Sequence, residues 1–186
     1  MAEAAQKMAT YEDLIAAPEH LVAEIIRGQL VTSPRPAPKH ARSASGLGVD
    51  IGGPFDRGRG GPGGWWILDE PELHLDGHVL VPDLAGWRRE RLPKLPDTAW
   101  FELAPDWVCE VLSPSTARID RVEKLPIYAQ AGVAHVWLVD PDLRMLEAYA
   151  NRDGHWLLLK AFENDDLVRI APFDAIEIEL AGLWAE

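Results

Sequence analysis

Residues 107–112 read Trp-Val-Cys-Glu-Val-Leu, an apolar run broken by one carboxylate, Glu110. Its length and its apolar, aromatic content predict a strand inside a sheet covered on both faces. A carboxylate there is costly unless it is paired, protonated or bound to a cation. The fold must therefore bring a partner to Glu110, either a Lys or Arg at the sheet edge or a metal ion. Side chains alternate along a strand, so Asp106, Val108, Glu110 and Leu112 share one face.

The surroundings of this run set the fold class. Ser115 and Thr116 open a helix that runs to about Ala131, with Gly132 as its C′ residue. Pro126 inside it predicts a kink or the end of its first half. His135–Val139 is a second apolar strand, so strand, helix and strand read as a right-handed crossover in one sheet. Upstream, Trp65–Leu68 extends toward Leu75, and Val79–Trp87 reads as the next strand, joined through the Asp76-Gly77 turn. Thr10 and Asp13 start a short helix stopped by Pro18. Residues 23–26 and 29–31 form a hairpin around Arg27-Gly28. Pro34, Pro36 and Pro38 make a stiff connector, followed by a helix over about His40–Phe55 that four glycines weaken. Arg57–Gly64 is a flexible loop. Arg144–Tyr149 and His155–Lys160 form a late hairpin, and residues 176–180 are strand-like. The expectation is a mixed α/β sheet core (helix-strand-strand-strand-helix-strand) with antiparallel hairpins added at both ends.

The 186 residues fit one domain over 1–186. Its core lies at about 38–141, with an N-terminal helix and hairpin at 10–33 and a C-terminal hairpin region at 142–186. An apolar share of 47% excludes a disordered chain, and no apolar run approaches a membrane span. Met1–Thr10 lacks the apolar segment of a secretory signal, and Cys109 is the single cysteine, which excludes a disulfide framework and a cysteine-clustered zinc site. A reducing cytoplasm is the simplest location. The net charge of −12 argues against coating nucleic acid by charge alone. It leaves room for an enzyme that meets DNA locally at an acidic metal site.

Two residues join Glu110 as candidates. Asp83, in Val81-Pro82-Asp83-Leu84, is either a turn aspartate or a carboxylate placed at a strand entry. Lys124, with Asp120 four residues before and Tyr128 four after, is either an ordinary i,i+4 surface pair or a functional cation. Taken together, two carboxylates on neighbouring strands can hold Mg²⁺ (or Mn²⁺), with water and phosphate completing its shell. A nearby lysine can orient an attacking water and offset developing charge. This is the minimum equipment for phosphodiester hydrolysis.

The stretches VPDLAGWRRERLP (81–93), APDWVCEVLSPSTARIDRVEKLPIYAQAGVAHVWLVDP (104–141) and AEIIRGQLV (23–31) carry a resemblance to the Uma-two restriction endonuclease family, within the PD-(D/E)XK nuclease superfamily. The resemblance implies a restriction-endonuclease-like core and Mg²⁺- or Mn²⁺-dependent hydrolysis of DNA. It implies Asp83 and Glu110 as metal ligands, and Glu24 as a supporting acid near the metal. The superfamily pattern places Lys two residues after the second acid, where this chain has Leu112; the resemblance moves that role to Lys124. It also implies a homodimer, with two sites for two strands. Two alternatives stand beside it. One is a nuclease fold that only binds or dimerises. The other is a metal-dependent hydrolase of another phosphoester.

Other signals are weaker. Asp106 also follows a proline and reads as a strand-entry or supporting residue. His40 either faces the site or caps its helix. His74 and His78 flank a turn, which removes the helical spacing a zinc pair needs. Arg57, Arg59, Arg88, Arg89 and Arg91 are where a DNA backbone could be met. Ser113 and Ser115 lack the context of a hydrolase nucleophile, and no nucleotide-binding glycine motif is present.

Overall fold

The computed structural model describes residues 8–184. The reading of the N-terminus therefore rests in part on residues 1–7, which lie outside the described residues. Helix α1 (Tyr11–Ile15) begins at Thr10, whose hydroxyl and the Asp13 carboxylate form a reciprocal capping box. The hairpin β1 (Leu21–Ile26) and β2 (Gln29–Pro34) follows, and then α2 (Pro38–Ile51).

The main sheet has six strands in the order β10-β9-β8-β7-β6-β3. These are β3 (Trp65–Asp69), β6 (Leu84–Arg88), β7 (Trp107–Val111), β8 (His135–Asp140), β9 (Met145–Arg152) and β10 (His155–Glu163). Only β7 and β8 pair in parallel; the other neighbours in this sheet are antiparallel. The strand-helix-strand pattern at 107–139 thus forms the crossover expected of it. The C-terminal hairpin extends the same sheet.

The two faces of β7 are covered as its alternation demands. Trp107, Cys109 and Val111 pack with Leu47 and Ile51 of α2, Trp137 and Phe173. Val108 and Leu112 pack on the opposite side with Ile127, Tyr128, Val136 and Leu138. By the same alternation Glu110 belongs to this second side.

Two expected strands are broken, and the break positions the site. Val79–Trp87 is not one strand. It splits into β5 (His78–Leu80) and β6 across Val81-Pro82-Asp83. Pro82 has no N–H to give a ladder, so the chain leaves one sheet there and enters another. Likewise the strand from Trp65 stops at Asp69, and β4 (Leu73–Leu75) belongs elsewhere. β4 and β5 join the N-terminal hairpin in a four-stranded sheet ordered β2-β1-β5-β4. Asp83 therefore lies where the two sheets meet, near β1 on one side and β7 on the other.

The helix after β7 is also interrupted. It divides into α3 (Ala117–Ile119), a π turn at Asp120–Lys124 and α4 (Leu125–Gln130). The Leu125 N–H bonds the Asp120 carbonyl, five residues back. Pro126 offers no N–H of its own, and the wider turn absorbs the gap in the ladder. The continuation of α2 does the same around Pro54, where the Arg57 N–H reaches the Gly52 carbonyl. Thr116 occupies the N-cap of α3 without a side-chain capping bond, and Gly132, at φ +83°, takes the left-handed position after α4.

Candidate functional site

Asp83, Glu110, Lys124 and Glu24 come together at the base of a cleft of about 290 Å³. The cleft lies between the β2–α2 connector and the loop after β7, Ser113–Thr116.

Each side chain is placed by a feature already described. Glu24 sits on the buried part of β1, and its Oε1 accepts the Val81 N–H at 2.8 Å, tying the hairpin to the β5–β6 break. Glu110 comes from β7. The β6–β7 register pairs Leu84 with Cys109, and its continuation sets Asp83 opposite Glu110. Asp83 is anchored by both oxygens: Oδ2 accepts the Val111 N–H at 2.7 Å, and Oδ1 lies 3.3 Å from His40 Nε2. Lys124 ends the π turn.

Lys124 is the centre of the cluster. Its Nζ lies 2.8 Å from Glu110 Oε1, 3.1 Å from Glu24 Oε1 and 3.5 Å from Asp120 Oδ1. The side chain is only 4% exposed, and those of Glu110, Asp120 and Glu24 are 3%, 6% and 7% exposed. An ammonium has three N–H donors, so each faces one carboxylate. Tyr128 OH, one turn further on, also donates to Glu110 Oε1, at 2.6 Å. Both donors use the same oxygen. The partner that Glu110 required is thus neither a sheet-edge residue nor a surface pair but a buried lysine held by three acids.

The electrostatics follow from this crowding. Burial pushes the Glu110 carboxyl well above the usual range; Lys124 pulls it back, while Asp120, Asp83 and Glu24 push it up further. Burial also raises Asp120, again opposed by Lys124. Burial alone would lower the lysine, but Glu110, Glu24, Tyr128 and Asp120 together hold it well above its ordinary value. It is therefore the charged form that sits here. His40 is raised: the hydrogen bond and charge of Asp83 outweigh its burial. Three carboxylates (Glu24, Glu110 and Asp120) face one ammonium, and a fourth, Asp83, faces His40, so acids outnumber bases in the cluster.

That surplus suits a hard cation. Oxygen donors from carboxylates are the chemistry Mg²⁺ and Mn²⁺ take, and Mg²⁺ keeps most of its waters when one or two protein carboxylates hold it. Among the described residues no three His, Cys, Asp or Glu side chains converge as a ready-made metal cage. Asp83 and Glu110, which lie opposite each other in the β6–β7 register, are oxygen donors of the type such an ion takes.

Several expectations change. His40 does not cap its helix: Ala37 is the N-cap, and His40 turns its ring to Asp83. Asp106 is a strand-entry residue, with Oδ2 accepting the Arg88 N–H and Oδ1 paired with Arg91 at 2.8 Å. The arginines at 88–91 are occupied. Arg88 and Arg89 stack on Trp65 and Trp66, and Arg89 pairs with Asp56. They also lie at and beyond the far end of β6 from Asp83, roughly 15 Å along the strand, so they do not line the cleft. His74 bonds Glu72, and His78 accepts the Arg27 N–H. Asp120 is the site residue that motif reasoning passed over. Its only signal was its spacing from Lys124, which an ordinary surface pair would share.

The profile of a family described as "Putative restriction endonuclease", Uma2, matches residues 8–181. The chain belongs to the Uma2 family. That description places it among nuclease-type proteins. A crystal structure of a "putative nuclease belonging to DUF820" from Anabaena variabilis ATCC 29413 has the same fold. It superposes with a TM-score of 0.76 at 23% identity, covering 94% of this chain and 97% of that one. No curated protein matches the chain significantly. The expected mixed α/β, restriction-endonuclease-like class is the observed one. No described helix is long and apolar enough to cross a membrane.

Proposed function

We propose that this Uma2 protein is a metal-dependent endonuclease that hydrolyses DNA phosphodiester bonds in the cleft between the two sheets. The observation that carries the reading is the meeting of Glu24, Glu110, Asp120 and Lys124, with Asp83 beside them, at the base of one cleft. The sequence departs from the superfamily's lysine spacing, yet Lys124 reaches Glu110 from the following helix.

Asp83 and Glu110 are the residues that would hold Mg²⁺ or Mn²⁺, Glu110 through the oxygen, Oε2, that the Tyr128 and Lys124 contacts at Oε1 leave aside. When bound, such an ion polarises a phosphoryl oxygen and favours attack by water. The chain's own part is positioning. The Val111 N–H and His40 fix Asp83, and Tyr128 and Lys124 fix Glu110. Lys124 remains charged, so it acts as a donor and not as a base. It orients the attacking water and offsets charge building on the phosphate. To do so it must release one of its three carboxylates, and the longest contact, to Asp120, is the weakest. Glu24 assists by keeping the ammonium beside Glu110.

The test is cleavage of DNA with Mg²⁺ and with Mn²⁺ by the wild type beside Glu110→Ala and Lys124→Ala. Cutting lost in both variants supports the assignment. Cutting that survives in Glu110→Ala refutes it. The net charge of −12 favours a second reading, a nuclease fold that binds without turnover; Mn²⁺ binding by calorimetry with no product from any DNA would select it. A homodimer belongs to the same proposal and is read by light scattering.

A further inference from the structure

The shape of the cleft says which form of DNA can reach the acids. Glu110 and Lys124 are 3% and 4% exposed, and even Asp83 and His40 reach only 16% and 11%. A phosphate must therefore enter the cleft to meet them; it cannot be met on an open surface. The space available, about 290 Å³, is at the low end of small-ligand pockets and suits about one nucleotide unit. A base-paired duplex brings its second strand and stacked pairs with every phosphate, and these have no room there.

The walls are poorly suited to widening. Pro34 and Pro36 form one rim, in a connector whose prolines fix φ, and Pro114 stands on the other. The inner walls include Val22 and Ile119, apolar surfaces of the kind that take a sugar or the face of a base.

Charge points the same way. Reading a duplex backbone takes many free cations set along it. Here the cations about the mouth are few, Arg35, Lys39 and Arg118, and each shares its charge with a nearby acid in an exposed pair. The arginine group at 88–91 stands at and beyond the other end of β6. The protein can therefore engage only a few phosphates at the cleft.

Resting on the nuclease reading, we propose that the substrate is single-stranded DNA, as a free strand or as an unpaired flap or end, threaded into the cleft one nucleotide at a time. Paired DNA is then cut only where a strand is already separated, because no element of the cleft pays for unpairing.

The experiment uses the full chain with Mn²⁺ and four end-labelled DNAs of one sequence: single strand, intact duplex, and duplexes carrying a 5′ or a 3′ single-stranded flap. Binding is followed in parallel by fluorescence anisotropy in Ca²⁺ at several salt concentrations. The expected result is cutting of the single strand or a flap at least tenfold faster than the duplex, with breaks confined to unpaired nucleotides. The single-strand salt slope is expected between about −1.4 and −2.1, that of two or three phosphates. Duplex cut as fast as single strand, or breaks inside paired DNA, overturns the inference and leaves the nuclease reading standing. No cutting and no binding of any of the four, with the fold intact by circular dichroism, overturns both.

Discussion

Replacing Lys124 with Met keeps most of the side-chain volume and removes the one charge that faces three buried carboxylates. In the wild type, Nζ contacts lie at 2.8, 3.1 and 3.5 Å, and no partner is more than 7% exposed. Removing one member of a buried ion pair typically costs about 3–5 kcal/mol, because the remaining charge is left unpaired. Part of this is relieved if the acids take up protons, and that gives the prediction its pH dependence. Glu110 and Asp120 already have raised folded-state values. Loss of Lys124, which pulls both down, raises them further. An acid raised on folding holds more protons in the native state than in the unfolded one. Stability then falls as pH rises above the ordinary carboxylate range. Lys124→Met is therefore expected to lose about 3–5 kcal/mol at pH 8 and distinctly less near pH 5. For a chain of this size the loss at pH 8 corresponds to roughly 6–20 °C in Tm. Urea unfolding at both pH values measures it directly. Mn²⁺ should restore part of the loss at pH 8, since it supplies the missing positive charge to the same acids. A variant as stable as the wild type at pH 8, or a loss that does not shrink on acidification, would refute the picture of an ammonium neutralising a buried acid cluster.

Glu110→Gln keeps the shape and an acceptor for Tyr128 while removing one of four crowded negative charges. Its Tm is expected within a few degrees of the wild type, and its metal binding by calorimetry is expected to collapse. His40→Leu leaves Asp83 Oδ1 without its donor and should weaken Mn²⁺ about 10- to 100-fold, with His40→Gln recovering part of that; equal losses in the two variants would show that only packing matters. His78 accepts the Arg27 N–H through Nδ1, and burial, then Arg27, lower its pKa. Its contribution is present above its unfolded value and lost as pH falls through the folded one, so the wild type should lose stability relative to His78→Leu between pH 7 and pH 5 in chemical denaturation. Neutralising the whole quartet at once (Glu24→Gln, Glu110→Gln, Asp120→Asn and Lys124→Met) should leave stability near or above that of the wild type, with no metal bound.

The elements were readable where one local signal settles them. The apolar run at 107–112, the Asp76-Gly77 turn and the capping box at Thr10 each name their own conformation. The broken strands were not readable in the same way. Val79–Trp87 alternates and branches like one strand, and its division at Pro82 depends on β1 taking β5 away from the main sheet. The site divides on the same principle. Glu110 announces itself because a carboxylate among Trp, Val, Cys and Leu needs an explanation. Lys124 and Asp120 carry no such flag. Four residues apart on a helix, they resemble any solvated pair, and only the packing of that helix against β7 buries them. The proline that made the helix look weak is the residue that sets the π turn on which both acid and lysine stand.

A buried ion cluster is poor evidence of a need for stability, since apolar replacements of such clusters are often neutral or stabilising. Here the cost is higher than in a simple pair, because three acids share one lysine and burial pushes the Glu110 carboxyl toward its protonated form. If the quartet served the core, the surrounding residues would close over it, as they do around Trp107 and Trp137 on the other face of the sheet. Instead the quartet lines a cleft together with Asp83, whose side chain is 16% exposed. An arrangement that crowds carboxylates around one ammonium and leaves them lining an opening is one that would gain from a further cation. That is why the cluster reads as a working site, and why metal binding is the observation on which the functional reading depends.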